Sequence, residues 1–220
     1  MPYELCVFDL DGTLTDPKEG ITKSYQHALS AFGIHEEADE LTKFIGPPLR
    51  ETFGSYYGFS AQDTERAVAK YREYFFETGI FQNVVYPKIP EALQELKNKN
   101  VTLAVATNKV TLLASRILEH FKLGGFFSFV SGDEMDGRLT KNGKRDIIRI
   151  ALDALDPKRE RAAVMIGDRG IDITGANEAG IDGIGVLWGY GSRGELEEAG
   201  AKQTAASPGE LLRMISGAGQ

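Results

Sequence analysis

The sequence predicts an α/β fold: a doubly wound, parallel, Rossmann-like sheet with a small all-helical domain inserted after the first strand. Three observations carry that prediction. Leu5-Cys6-Val7-Phe8 is an unbroken apolar run, the pattern of a strand buried on both faces. From Pro87 onward, strand-length apolar runs alternate with segments of helical period, as βαβ units require. Between these regions, Asp16 to about Thr78 offers helical spacing and turn residues and no convincing strand.

Each element has its own signals. Ile21, Tyr25, Ala28, Leu29 and Phe32 recur at helical spacing, and Gly33 closes that helix. A second helical run covers about Glu37 to Phe44, and Gly46-Pro47-Pro48 then interrupts the chain because proline restricts itself and the residue before it. Leu49 to Tyr57 resumes a short helix, and Ser60 caps a longer one through Phe76. The alternation that follows is a helix over Pro87 to Asn98, a strand over Val101 to Ala106, a helix over Val110 to His120 and a strand over Phe126 to Val130. Next come a helix over Gly143 to Leu155, a strand over Ala163 to Ile166 that ends at Gly167-Asp168, and a helix over Ile171 to Ala179. Gly183 to Leu187 is the fifth strand of this scheme. Ser207-Pro208-Gly209-Glu210 combines a capping box with proline at the first helical position and opens the last helix. The tail, Gly217 to Gln220, is expected to fray. No internal repeat or low-complexity segment interrupts this order.

Composition narrows the function. A chain of 220 residues can hold one sizeable core and a small accessory domain, and 42% hydrophobic with 26% charged residues is ordinary for a globular protein. A formal net charge of −7 with no basic run argues against a nucleic-acid surface. The single cysteine, Cys6, falls inside the first strand and reads as an inert buried thiol. No apolar run reaches membrane-spanning length, and Met1-Pro2-Tyr3-Glu4 lacks the basic start of a signal peptide. The expectation is a cytoplasmic protein without membrane or nucleic-acid partners, acting as a monomer or homodimer.

The first strand runs into Asp9-Leu10-Asp11-Gly12-Thr13. Carboxylates at i and i+2 of an extended strand emerge on one side. Gly12 permits a sharp turn and a close backbone approach. Two convergent carboxylates at the end of a buried strand are costly unless a cation or a shared proton offsets them. An ordinary Asp-Gly turn is the competing reading of this stretch alone. Thr107 and Asp168, like Asp9, are each the first polar residue after an apolar strand. Any one of them alone is consistent with a helix cap. Together they bring polar groups from three strands to the carboxyl rim, where doubly wound sheets bind ligands.

Asp-Leu-Asp-Gly-Thr at residues 9–13 resembles the signature of the haloacid-dehalogenase-like hydrolase superfamily, and the later motifs agree in order and spacing along essentially the whole chain. The resemblance implies that Asp9 attacks phosphorus to form an aspartyl-phosphate and that Asp11 is the general acid and base. Thr13 fits the turn after the acid. Aspartate at position 11 points to a phosphatase or phosphomutase rather than to the family's ATPases or dehalogenases. Thr107, with Asn108 beside it in Ala106-Thr107-Asn108-Lys109, matches the phosphoryl-binding second motif. Lys144 matches the third-motif lysine that neutralises the phosphate, with Lys141 three residues away as the other candidate. Asp168 would hold Mg²⁺ with Asp9 and the Asp11 backbone carbonyl, inside an octahedral oxygen shell. Asp172 would orient waters or Lys144 from behind.

The helical insert falls where the superfamily carries a cap, which gives a catalytic core of residues 1–14 and 84–220 and a cap of residues 15–83. Phe44 to Arg50 resembles the cap's specificity loop, with Gly46 and Arg50 as substrate-contact candidates. Arg50 reads equally well as a solvated helix charge. A cap that excludes water and bulky groups favours small phosphorylated metabolites. The pattern is most similar to the phosphoglycolate-phosphatase and 5′-nucleotidase-like branch. A β-phosphoglucomutase-like enzyme shares every motif and is the main alternative. A receiver-type signalling module also uses Asp, Thr, Lys and Mg²⁺, but its phosphorylated Asp ends the third strand. A catalytically idle scaffold would be expected to lack a motif residue, and none is missing.

Other conspicuous residues get plainer readings. His27, His35 and His120 have no ligand spacing. The aromatics of the insert read as its core, with Tyr25 a candidate to face the cleft. Trp188-Gly189-Tyr190-Gly191 follows the fifth strand and either lines the pocket or packs beside it.

Overall fold

The computed structural model describes residues 3–217. Residues 218–220, where the tail was expected to fray, lie outside them. The chain divides into two compact units, Met1–Thr15 with Val85–Gln220, and Asp16–Val84. Among the described residues no helix is long and apolar enough to cross a membrane.

In chain order the strands are β1 (Leu5–Phe8), the two-residue β2 (Thr15–Asp16) and β3 (Val84–Val85), β4 (Thr102–Val110), β5 (Phe129–Asp133), β6 (Ala163–Gly167), β7 (Asp182–Val186) and β8 (Gln203–Ala205). β2 and β3 pair with each other where the chain leaves and rejoins the larger unit. The larger unit contains one parallel six-stranded sheet in the order β5-β4-β1-β6-β7-β8. Its connections step outward from β1 through β4 to β5, then cross to β6 on the other side, so the topological switch lies between β1 and β6. Leu5 and Val7 pack with Ala104, Ala106 and Met165 against Ile147, Ile148, Ala151, Leu152 and Ala176. Cys6 and Phe8 point to the opposite face by the strand's twofold alternation and are equally buried. Helices lie on both sides of the sheet, which is why β1 has no polar residue until it reaches the rim.

The helices of the smaller unit are α1 (Lys18–Ser30), the single turn α2 (Leu49–Glu51) and α3 (Ala61–Glu77). Those of the larger unit are α4 (Ile89–Asn98), α5 (Thr111–His120), α6 (Arg145–Leu155), α7 (Gly170–Ala179), α8 (Arg193–Glu198) and α9 (Pro208–Ser216). Ser60 and Ser207 cap α3 and α9 by accepting from the N–H groups of Asp63 and Glu210, as their motifs imply.

Several sequence expectations are corrected. The run from Glu37 to Phe44 is a 3₁₀ helix over Ala38–Phe44, and Leu49 to Tyr57 is one α turn followed by a π-helical stretch over Thr52–Tyr56. The strand expected over Phe126 to Val130 starts at Phe129, after a 3₁₀ turn over Gly124–Phe126. β4 continues to Val110, so Thr107 lies within the strand and not just after it. β8 adds a sixth strand, and α8 is an additional short helix. Tyr25 does not face a cleft. It is fully buried in the smaller unit, with ring centroids 5.0 Å from Tyr71, 5.4 Å from Phe53 and 5.5 Å from Phe44.

Candidate active site

Backbone register builds the site. Phe8 is level with Val105 of β4 and with Ile166 of β6. One step on, Asp9 leaves β1 while its N–H still donates to the Ile166 carbonyl at 2.8 Å. Thr107 and Asp168 follow one residue beyond that level on the two flanking strands. Three adjacent parallel strands therefore present polar residues at one rim, Asp9 and Asp168 just past the ends of β1 and β6 and Thr107 inside the longer β4. The rim lies next to the switch point, where opposed connections leave a crevice.

Around that rim the structure gathers Asp9, Asp168 and Asp172, all buried, whose carboxylate oxygens lie within 4.8 Å of one another. Lys144, at the start of α6, is 1% exposed and places Nζ 2.8 Å from Asp9 Oδ1, and it also donates to Asp172. Lys141 is exposed. Asp172, in the first turn of α7, accepts from the Arg169 N–H at 2.9 Å with its second oxygen. Asp11 is buried and pairs through Oδ2 with Lys109 Nζ at 2.8 Å. Thr107 is buried, and its Oγ1 accepts from the Lys109 N–H at 3.3 Å. Gly46 and Arg50 belong to the other compact unit, where the Arg50 guanidinium forks onto Glu65 at 2.5 and 2.9 Å.

Asp168 is held by backbone as well as side chains. Its Oδ2 accepts from the Tyr190 N–H at 2.8 Å and its Oδ1 from Thr13 Oγ1 at 3.3 Å. Trp188 Nε1 donates to the Thr13 carbonyl at 3.0 Å. The segment 188–191 thus braces the turn and the aspartate together. Gly12 has φ +85°, and a Cβ there would run into the Asp168 carboxylate. A Cβ at Gly189 would meet Asp168 and the Gly12 carbonyl. Both glycines let backbone close around one side chain.

The electrostatics are unbalanced. Four carboxylates, those of Asp9, Asp11, Asp168 and Asp172, face two ammonium groups, those of Lys109 and Lys144. Burial, then the charges of Asp172 and Asp9, drives Asp168 well above the usual carboxylate range. Burial pushes Asp172 up to about 6 against the pull of Lys144. Asp11 is raised by burial, an effect that Lys109 opposes. Burial disfavours the Lys144 ammonium, yet Asp172 and Asp9 outweigh it and hold its pKa above the ordinary value. A buried set of oxygen donors with excess negative charge fits a hard divalent cation. Asp9, Asp168 and Asp172 form the acidic group that could hold one, with both Asp172 oxygens already engaged by Lys144 and the Arg169 N–H.

The Haloacid dehalogenase-like hydrolase family model matches residues 6–186. The chain belongs to that family. Among curated relatives, a 5′-nucleotidase from Pseudomonas aeruginosa is 45% identical over 195 residues, covering 88% of this chain and 87% of the relative. A tyrosine-protein kinase, PtkA of Mycobacterium tuberculosis, is 41% identical, covering 86% of this chain and 63% of that protein. Among solved structures, a predicted phosphatase from Clostridium acetobutylicum has a TM-score of 0.93 at 44% identity, covering 98% of this chain and 99% of that one. This member of the haloacid dehalogenase-like family is a phosphoric monoester hydrolase acting on phosphorylated substrates. A receiver module, whose phosphorylated Asp ends the third strand, is excluded.

Sequence reasoning did not single out Lys109. Its signal was a lysine two residues after Thr107, which on a regular strand shares that side chain's face.

Proposed function

We propose that this enzyme is a Mg²⁺-dependent phosphatase of small phosphorylated metabolites that works through an aspartyl-phosphate on Asp9. Nucleoside 5′-monophosphates are the first substrate candidates, given the 5′-nucleotidase relative, and phosphoglycolate-type esters come next. The observation that carries the reading is the clustering of Asp9, Asp168 and Asp172 at the switch point, with Lys144 paired to Asp9 and Asp172.

An Asp9 carboxylate oxygen attacks phosphorus, the bond to the leaving oxygen breaks, and Asp11 gives that oxygen its proton. A water then attacks the same phosphorus, yields its proton to Asp11, and returns Asp9 as a carboxylate with release of inorganic phosphate. Thr107, Asn108 and Lys144 hold the non-bridging oxygens, where phosphoryl transfer concentrates charge. Asp9, Asp168 and the Asp11 carbonyl would hold Mg²⁺, with Asp172 fixing Lys144 and reinforcing the acidic set. The bound ion supplies charge neutralisation that lets an anionic nucleophile meet an anionic ester. The helical unit Asp16–Val84 serves as a cap that admits small substrates, with Gly46 and Arg50 as candidate contacts. The enzyme acts in the cytoplasm, as a monomer or homodimer, without nucleic-acid or membrane partners.

The test is phosphate release from a panel of nucleoside monophosphates, phosphoglycolate, sugar phosphates and phosphotyrosine peptide, run in ¹⁸O-labelled water with Mg²⁺. Labelled inorganic phosphate from small esters is expected. Bisphosphate-dependent interconversion of hexose phosphates with little free phosphate would overturn the reading in favour of a mutase. Transfer from ATP to tyrosine without ester hydrolysis would do so in favour of a kinase.

A further inference from the structure

Asp11 has two inequivalent oxygens. Oδ2 is 2.8 Å from Lys109 Nζ, in a pair whose side chains are only 8% and 10% exposed. Oδ1 is buried and makes no hydrogen bond among the described residues. A buried carboxylate oxygen without a partner is costly, so an oxygen left in that state beside Asp9 points to a group that arrives during turnover.

The backbone around Lys109 is shaped to deliver that ammonium. The pairing of β4 with β5 shifts register between Ala106 and Val110, and such irregularities re-aim side chains beside active sites. The Lys109 N–H is tied to Thr107 Oγ1 at 3.3 Å, across the same short segment. On the neighbouring strand, a Cβ at Gly132 would collide with the Lys109 carbonyl and the Thr111 N–H. Glycine at that point lets the irregular segment sit against β5 and keeps the lysine stem aimed at β1.

We propose that Lys109 is a positioning residue for proton transfer: it occupies Oδ2 of Asp11 and so assigns Oδ1 as the atom that exchanges the proton. The inference rests on the reading of Asp11 as general acid and base. Lys109 stays an ammonium throughout. The proton leaves Asp11 Oδ1 for the leaving-group oxygen as the P–O bond breaks, and Oδ1 later takes one proton from the attacking water. Without Lys109 the carboxyl rotates freely about its Cβ–Cγ bond, and the unpartnered oxygen is no longer held toward the reacting bond.

A purely structural ion pair and a positioning ion pair differ in which substrates suffer when it is lost. The experiment compares single-turnover phosphorylation of the Mg²⁺-loaded enzyme by an alkyl phosphate and by p-nitrophenyl phosphate, whose acidic phenol leaves with little protonation. The variants are Lys109→Met, Lys109→Gln and Asp11→Asn. In both lysine variants the alkyl ester is expected to lose about 10²-fold, the scale of general acid catalysis, while the aryl ester changes less than about threefold. Lys109→Cys alkylated with bromoethylamine restores an ammonium at nearly the same reach. The chain's one natural cysteine, Cys6, is fully buried and leaves that reaction selective. Recovery of the alkyl-ester rate on alkylation supports the proposal. Equal losses on both esters, or no loss on either, in the lysine variants would overturn it if Asp11→Asn still shows the ester-selective loss. Absence of that selectivity in Asp11→Asn would overturn the reading of Asp11 itself, and the inference with it.

Discussion

Lys144 sits between Asp9 and Asp172 with almost no exposure, so its removal leaves two buried carboxylates facing each other. Lys144→Ala is therefore expected to lower phosphatase activity by about 10²–10³-fold, as loss of a charge-stabilising donor does, and to destabilise the protein by about 3–5 kcal/mol. Lys141→Ala, at an exposed position, is expected to change neither measurably. Paired thermal melts and steady-state rates on the two variants check this, and the reverse ranking would reassign the phosphate lysine. Asp9→Asn keeps the shape of the side chain while removing the carboxylate that the proposed mechanism uses as nucleophile. It is expected to lose at least ~10⁴-fold in rate with a native circular dichroism spectrum. At this scale the sequence was informative where a residue is defined by its immediate neighbours. Asp9, Asp11 and Asp168 each follow an apolar run within a few residues. Lys109 was illegible because its partner is almost a hundred residues away, and the contact depends on a register shift that no local pattern encodes.

The segment that follows β7 shows how a loop can act as part of a site without contributing a reacting group. Trp188 ties to the Thr13 carbonyl, Tyr190 offers its N–H to Asp168, and Gly189 makes room for both. Gly189→Ala would force its methyl group against Asp168 and the Gly12 carbonyl. The expected result is a 10–100-fold rise in the Mg²⁺ concentration giving half-maximal activity, on the scale of disturbed supporting contacts. A Mg²⁺ titration of the variant beside the parent enzyme measures it. Trp188→Phe keeps an aromatic ring but removes the indole's second ring and its hydrogen bond, the latter worth about 1 kcal/mol, so a loss of melting temperature is expected with little change in rate. The long apolar strands and the capped helices were legible because period and capping are local. β8, a three-residue strand at the sheet edge, and α8, a six-residue helix, were missed because neither is long enough to display a period. Thr107 read as the first residue beyond the strand because its polarity breaks the apolar run, although backbone pairing carries β4 on to Val110.

For the molecule as a whole, the excess of buried carboxylates is expected to make stability depend on pH and on divalent cations. Asp168, Asp172 and Asp11 are raised in the folded state, Asp172 to about 6, whereas an unfolded aspartate titrates near about 3.9. These three groups hold more protons in the folded state than in the unfolded one between those values, so their contribution to stability falls as pH rises through that window. A cation that engages the same carboxylates reverses the effect. The gap in melting temperature between Mg²⁺-loaded and chelated protein is expected to widen from pH 4 to pH 7. Saturation at a hundredfold excess over the dissociation constant is worth about 2.7 kcal/mol. Asp168→Asn is expected to abolish the Mg²⁺-dependent shift, and calorimetric melts across pH check both statements. A gap that narrows with rising pH would place the cation elsewhere.

The sheet order also sets a schedule for synthesis. β1 lies at the centre, yet the strands that flank it begin at Thr102 and Ala163, about a hundred and about 160 residues downstream. At elongation rates of about 5–20 residues per second, some 5–20 seconds pass before the β4 neighbour is made and some 8–30 seconds before β6 is made, and until then at least one edge of the apolar ribbon is bare. Pairings of such long sequence separation close slowly even after release. The helical insert, by contrast, is complete in sequence soon after β1 emerges and can fold locally while the ribbon waits. A chain cut between Val84 and Thr102 would contain the whole helical unit and β1 but neither of the strands that flank β1.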